Sequence, residues 1–359
     1  MSVGQSSAGP VVVVTGGAGF LGQALVRELR KPAAEAVLRP SEIRVLDIRP
    51  APPGHSGVTF VRGDVLEPED LRRAFAGADV VFHLAALIDW GQNPAERVHA
   101  VNATGTRNVI AACRAAGVPA LVATSSLDVI YAGHSLHDVD ETTPYPASYP
   151  SAYCASKAEA ERAVREADGT VVEGGPRLRT IVVRPGSIWG ENDPYHVGAM
   201  LELARRGPVV RLGRESAPTH FTYVGNVAHA VALAGKALRE GSAEAAGQVY
   251  FVSDFPPRNF FDHLEPMVRA AGGRMLPKAL ALPRGPMRLV GRALELAAEA
   301  LRPIVPFRPL FTTFSVDYVC NTFTVRSDKA ERLLGYRPIY GETEAYERTL
   351  AAVRRGAGR

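Results

Sequence analysis

The sequence predicts an α/β protein: a doubly wound, mainly parallel sheet with a smaller, discontinuous C-terminal lobe. Three observations predict it. β-branched runs alternate with segments of helical period from Val11 to Arg184, the pattern of parallel strands joined by crossover helices. A glycine-rich turn follows the first of those runs. The size and composition, 359 residues with 46% hydrophobic and 22% charged, suit one large domain with an appended lobe or two domains. The net charge is only +4, from 41 basic and 37 acidic residues, which argues against nucleic acid as a main partner.

The elements follow in order. Val11–Val14 is a β-branched run, as in a strand buried on both faces. A helix pattern runs through Leu21, Leu25, Val26 and Leu29. Ile43–Asp47 and Val58–Val61 read as the second and third strands, and Asp70–Phe75 as a charged helix. Val80–Leu84 is the fourth strand, Thr104–Ala116 a helix and Ala120–Ala123 the fifth strand. Tyr153–Glu166 has helical period, and Thr180–Arg184 is the sixth strand. Prolines and loops then dominate 186–218 and 255–311, around a helix at Tyr223–Arg239 and a strand at Gln248–Val252. Residues 1–10 read as a disordered polar tail without a secretion signal. No apolar run reaches the roughly 18 residues of a spanning helix. Three scattered cysteines without a Cys-x-x-Cys pair predict neither a metal site nor disulfides. A cytoplasmic location is the expectation, with peripheral membrane association as its variant.

The first strand leads into Thr15-Gly16-Gly17-Ala18-Gly19-Phe20-Leu21-Gly22. Gly16, Gly19 and Gly22 sit at a strand-to-helix junction, where they allow a tight turn, backbone approach to a pyrophosphate and close helix packing. The phosphates would meet the free N–H groups of the helix. Asp47 ends the second strand, 25 positions after Gly22, where a carboxylate accepts from the ribose hydroxyls. It would repel a 2′-phosphate: like charges about 4 Å apart cost up to roughly 4 kcal/mol at an effective dielectric of 20. That favours NAD over NADP, with Arg49 as the counter-argument. Asp64 falls where the adenine amine would lie. The chain thus divides into an NAD-binding Rossmann domain (11–187 and 220–253) and a substrate-binding lobe (188–219 and 254–359).

Tyr153 and Lys157 are four apart on one predicted helix, hence on one face. A tyrosine base near neutrality needs its pKa lowered by about 2–3 units, which the ammonium and a nicotinamide cation could supply. Thr124-Ser125-Ser126 closes the fifth strand, at the carboxyl edge where doubly wound sheets place their chemistry. Ser126 is the first choice for holding the reacting oxygen and Ser125 the second.

These residues resemble the extended short-chain dehydrogenase/reductase superfamily. The matching pieces are Thr15–Gly22, Asp47, Gly63-Asp64, His83–Ala86, Val101–Thr106, Thr124–Ser126, Tyr153 with Lys157, and Arg184–Gly186. Within it the chain is most similar to the 3β-hydroxysteroid dehydrogenase family, including the Δ5→Δ4 isomerases. Leu87–Gly91, Tyr223–Ala228, Gln248–Asp254, Leu301–Pro303 and Asn321–Thr324 carry that likeness, which runs nearly end to end, and Ser327–Ala330 through Leu334–Pro338 resembles the usual C-terminal segment of the extended superfamily. The resemblance implies Ser126, Tyr153 and Lys157 as the catalytic set, with Asn102 positioning a water on the proton path. It implies NAD-dependent oxidation of a 3β-hydroxysterol to the ketone. The expected cofactor contacts are Gly16, Gly19, Phe20, Leu21, Gly22, Asp47, Asp64, Val65, Ala85, Tyr153, Lys157 and Pro185. The expected substrate contacts are Asp89, Trp90, Ser126, Ile188 and Tyr195. Vertebrate-type dual enzymes tend to carry paired acids after the Gln248–Ser253 strand, whereas Phe255 follows Asp254 here, which bears on isomerisation only.

Residues 287–302 form an amphipathic helix pattern. Met287, Val290, Leu294, Ala297 and Leu301 make an apolar face opposite Arg288, Arg292, Glu295, Glu299 and Arg302. Such a helix can lie in a bilayer interface, or cap the substrate pocket or a subunit contact. A homodimer is carried as an analogy with relatives. Alternative functions are a reductase of a β-keto acid or aliphatic ketone, a nucleotide-sugar epimerase and a non-catalytic dinucleotide sensor.

Overall fold

The computed structural model describes residues 9–52, 57–213, 217–301 and 311–357. Among them the central sheet has seven strands: β1 (Val11–Thr15), β2 (Glu42–Asp47), β3 (Thr59–Arg62), β4 (Val80–His83), β5 (Ala120–Thr124), β6 (Arg179–Pro185) and β7 (Gln248–Val252). Their order is β3-β2-β1-β4-β5-β6-β7, every pair parallel. This is the doubly wound Rossmann order, which reverses direction on either side of β1 and opens a crevice at the carboxyl ends of the strands.

Period-2 alternation within β1 explains why both faces are covered. Val12 and Val14 enter the core with Phe20–Leu29 and Val224–Arg239. Val13 enters the opposite core with Leu71, Phe75, Val109 and Val164, from helices Pro68–Phe75, Gly105–Ala115 and Ala152–Ala167. All three valines are fully buried, which is why the run is uniformly apolar rather than alternating.

The expected helix at 104–116 is longer. It begins with Ala95–His99, after Pro94, and passes through a widened π turn at Ala100–Thr104 before Gly105–Ala115. Such widened turns recur at functional sites. Leu136–Val139 is a strand the sequence pattern does not announce, since it carries no alternating apolar run. It pairs with Phe323–Val325 in a second sheet ordered Arg258–Asn259, Pro218–Thr219, Phe323–Val325, Leu136–Val139. A separate pair joins Ser187–Trp189 to Phe221–Tyr223.

The amphipathic segment is a helix, Arg284–Leu301; Arg302, Pro303 and the rest of 302–310 lie outside the described residues, as do residues 1–8 of the expected tail. The side that packs against the protein is mixed: Met287, Gly291, Leu294 and Ala298 are buried or half-buried with Arg284 and Glu295, whereas Arg288 and Arg292 are 50% and 64% exposed. Arg284 Nε donates to Asp317 Oδ1 (2.9 Å), and Arg288 pairs with the same oxygen at 3.2 Å. Glu295 accepts from the Thr313 backbone (2.6 Å) and hydroxyl (3.1 Å). Leu289, Val290, Leu296 and Leu301 face outward and Leu289 is 74% exposed, whereas Met287 and Leu294 are half-buried. Among the described residues no helix is long and apolar enough to cross a membrane.

Candidate active site

A cavity of about 500 Å³ opens at the carboxyl ends of β1, β2, β4, β5 and β6. Every residue expected to touch cofactor or substrate lines it except Asn102.

The turn after β1 leaves no room for side chains. Gly16 has φ +71, and a Cβ there would come within 2.7 Å of the Ala85 backbone. A Cβ on Gly22 would come within 2.3 Å of the Gly16 carbonyl oxygen. The turn therefore draws the start of the Phe20–Leu29 helix tightly onto β1. Gly19 precedes that helix without a side-chain cap, so its first N–H groups are open to an anion. These features fit a dinucleotide pyrophosphate.

Asp47 is 5% exposed, at the end of β2. Its Oδ2 accepts from the Ala18 backbone N–H at 3.0 Å, tying β2 to the glycine turn. Arg49 forks onto the same carboxylate through Nε and Nη2, both at 3.1 Å. That bond is the largest influence on Arg49 and raises its pKa. Asp64 turns back on its own loop, its Oδ1 accepting from Leu66 N at 3.0 Å.

The reactive centre lies between β5 and the Ala152–Ala167 helix. Ser151 caps that helix, which places Tyr153 and Lys157 in its first turns facing the cavity. Tyr153 is 9% exposed and Lys157 7%. Lys157 Nζ donates to the Thr124 carbonyl at 2.7 Å, fixing the ammonium to the end of β5. Burial lowers the Lys157 pKa to about 8, against the opposing charges of Glu161 and Asp128. Burial, then the Asp128 charge, raises the Tyr153 pKa well above the ordinary value. Ser125 also lines the cavity, its backbone N–H bonded to Val183 O at 2.7 Å.

Asn102 sits in the π turn, 2% exposed. Its Oδ1 accepts from Leu87 N (2.7 Å), and its Nδ2 donates to Leu87 O (3.1 Å) and Ser156 Oγ (3.1 Å). The amide holds the loop after β4 against the Tyr153 helix. His83 braces the same region, bonded to Thr15 Oγ1 (2.8 Å) and Thr106 Oγ1 (2.9 Å); burial lowers its pKa to about 3, so it is neutral.

The far wall is aromatic. Trp90 packs edge-on against Tyr318 and His196, with ring centroids 4.8 and 6.0 Å apart, and tilts against Phe314 at 5.9 Å. Ile188 and Tyr195 complete it. Asp89 lines the cavity, but its carboxylate accepts from the backbone of Gly91, Gln92 and Asn93, so it shapes the loop that carries Trp90. Sequence reasoning missed Asp128, His196, Phe314 and Tyr318. Asp128 was visible as an acid two residues after Ser126; the helix Thr313–Cys320 reaches the cavity from far along the chain, with no local signal.

Residues 13–284 match the model of the 3-beta hydroxysteroid dehydrogenase/isomerase family. The chain is 36% identical over 366 residues to the human protein named 3 beta-hydroxysteroid dehydrogenase type 7, covering 97% of this chain and 96% of that one. Among solved structures, a short-chain dehydrogenase/reductase superfamily protein from Agrobacterium tumefaciens with bound NAD superposes with a TM-score of 0.69 at 19% identity, covering 96% and 98% of the two chains. The UDP-glucose 4-epimerase of Thermus thermophilus in complex with NAD gives 0.68 at 25% identity, covering 96% and 99%.

Proposed function

The chain belongs to the 3-beta hydroxysteroid dehydrogenase/isomerase family, and from that premise we propose that it oxidises the 3β-hydroxyl of a sterol-like alcohol to a ketone, with NAD as cofactor. The observation that carries the reading is the placement of Tyr153 and Ser126 between a dinucleotide cradle and an aromatic wall in one cavity. Gly16, Gly19, Phe20, Leu21 and Gly22 would hold the pyrophosphate, and Asp47, Asp64 and Val65 the adenosine end. Ala85, Lys157 and Pro185 would hold the nicotinamide end. NAD supplies the hydride acceptor. Ser126 and Tyr153 hold the substrate hydroxyl, Tyr153 takes its proton, and Lys157 fixes the reacting groups to the end of β5. Asn102 acts through the loop it holds. Trp90, Ile188 and Tyr195 form an apolar surface suited to a fused-ring substrate, with Asp89 setting the loop of Trp90.

Asp254 lies outside this cavity. Its Oδ2 is bonded to Tyr223 N (2.7 Å) and Asn226 Nδ2 (2.9 Å). The geometry therefore supports the dehydrogenase step, with any Δ5→Δ4 shift carried by another group. The test is NADH formation across a panel of 3β-hydroxysterols and aliphatic β-hydroxy acids, with conjugated-enone absorbance followed in the same cuvette. Turnover of sterols is the expected result; turnover of the β-hydroxy acids alone would overturn the reading.

Cofactor choice is expected to rest on Asp47. Replacing Asp47 with Ser removes the charge facing a 2′-phosphate and releases Arg49. The ratio of kcat/KM for NAD over NADP should fall at least tenfold, about 1.4 kcal/mol. An unchanged ratio would place the adenosine ribose elsewhere.

The outward apolar face of Arg284–Leu301 is proposed to rest on a bilayer surface. Arg284 and Glu295 are held by Asp317 and Thr313, Arg292 stands 64% exposed at the rim, and an apolar substrate resides in lipid. Burying one leucine is worth about 1.5–3 kcal/mol. Leu289→Glu with Leu296→Glu should then cut vesicle binding at least tenfold in a flotation assay without changing turnover of a detergent-dispersed substrate.

A further inference from the structure

The charges that line the cavity do not match the ligand it is built for. The acids are Asp47, Asp64, Asp89 and Asp128, and the cations are Arg49, Arg97 and Lys157. Acids outnumber cations, yet NAD carries a pyrophosphate with a negative charge on each phosphate. The glycine turn offers that group backbone N–H donors and no full positive charge.

The cations differ in what already holds them. Arg49 is forked onto Asp47. Lys157 Nζ is held by the Thr124 carbonyl, at the nicotinamide end. Among the described residues, the Arg97 guanidinium has neither an ion pair nor a hydrogen bond. It has had no part in the account above.

The segment that carries Arg97 fixes its direction. Helix Ala95–His99 starts after Pro94 and runs into the π turn. Val98 is fully buried, His99 Nε2 is bonded to Glu159 Oε2 at 2.9 Å, and the Asn102 amide holds Leu87. Residues three and four apart share a helix face. With Val98 and Asn102 turned inward, Arg97 shares the other face with Ala100 and Val101, and all three line the cavity.

The same segment spans the length of the cofactor site. Beyond the π turn, a Cβ on Gly105 would lie 2.8 Å from Val65 Cγ2, and Asn108 Nδ2 donates to Val65 O at 3.1 Å. That end of the segment abuts the adenosine end. Its other end continues from Ala85, at the nicotinamide end. Arg97 is anchored between the two, and the pyrophosphate is the part of a dinucleotide that lies between them.

We infer that Arg97 is a second grip on the cofactor, the guanidinium that supplies the pyrophosphate with its counter-charge. A planar fork suits phosphate oxygens, whereas the sterol-like alcohol proposed above brings no charge for it to meet. The inference rests on the cofactor reading and is independent of which alcohol is oxidised. Arg97 is exposed, so the grip is sensitive to salt.

The test is equilibrium titration of the full-length protein, as wild type, Arg97→Met and Arg97→Lys. The probes are NAD, ADP-ribose, which keeps both phosphates and lacks the nicotinamide, and adenosine, which has no phosphate and is followed by displacement of NADH. Methionine keeps an unbranched apolar stem and removes the charge. At low salt it should raise the Kd of NAD and of ADP-ribose at least about fivefold, the upper end for an exposed pair, and leave that of adenosine within about twofold. At about 0.5 M salt the gap from wild type should shrink by at least half, because the charge is then screened. Lysine, charged but without the fork, should fall between the two. A smaller rise than fivefold for both phosphate-bearing ligands overturns the grip. An equal loss of adenosine overturns it too, since the residue would then merely shape the loop, and so does a gap that salt leaves unmoved. A wild type that binds neither NAD nor ADP-ribose overturns the cofactor reading, and the grip with it.

Discussion

Tyr153→Phe is expected to lower kcat about 10³-fold, ~4 kcal/mol of transition-state stabilisation, while the affinity for NAD stays within about twofold. The reasoning is positional. Tyr153 lines the cavity together with Ser126, whereas the glycine turn, Asp47 and Lys157 are untouched by the change. Removing one oxygen from a side chain that is 9% exposed leaves the ring packing in place, so folding is not the variable. Equilibrium binding of NAD, followed by quenching of intrinsic fluorescence, separates the two effects. Turnover above a tenth of the wild-type rate would show that another group takes the proton, and a parallel loss of NAD affinity would show that the ring chiefly supports the cofactor.

The sheet and the cofactor cradle were legible in the sequence because both depend on local rules. A strand buried on both faces has to be continuously apolar, and Val11–Val14 is. A chain that turns from strand to helix against its neighbour has to omit side chains, and Gly16 and Gly22 do. Tyr153 and Lys157 were legible because helical spacing fixes their common face. The other wall was not. Tyr318 and Phe314 reach the cavity on Thr313–Cys320, more than 150 residues after Tyr153, and nothing in a window of sequence encodes that approach. Leu136–Val139 is a strand only because Phe323–Val325 supplies its partner. The direction of the Arg284–Leu301 helix was illegible for a similar reason. An amphipathic pattern states that two faces differ, and the partner decides which one is covered. Here Asp317 and Thr313 draw Arg284 and Glu295 inward beside Met287, Gly291 and Leu294, and leave Leu289, Leu296 and Leu301 outside.

Glu161 and Arg184 should show the largest stability effect outside the reactive groups. Arg184 lies on β6 and Glu161 one turn beyond Lys157, and their side chains are 2% and 0% exposed. Arg184 Nε donates to Glu161 Oε2 at 2.9 Å, and Nη2 donates to Oε1. Tyr145 also donates to Oε1. The pair clamps the Tyr153 helix to the sheet. Glu161→Leu strands the guanidinium in the interior without its counter-charge, and breaking such a pair from one side costs about 3–5 kcal/mol. Arg184→Met should cost a similar amount. The double variant Glu161→Leu with Arg184→Met should be far less damaged than the sum, because no charge is then left buried. Urea unfolding of the four proteins measures the coupling, and additive losses would mean that the pair is not acting as a unit. Acid sensitivity follows with a definite sign. Burial alone would raise the Glu161 pKa, but the hydrogen bonds and charge of Arg184 outweigh it and hold the folded value below 4.5. The contribution is therefore complete above the unfolded pKa and is lost as pH falls from there through the depressed folded value. Wild type should lose stability across that window more steeply than the double variant, which has no carboxylate there to protonate.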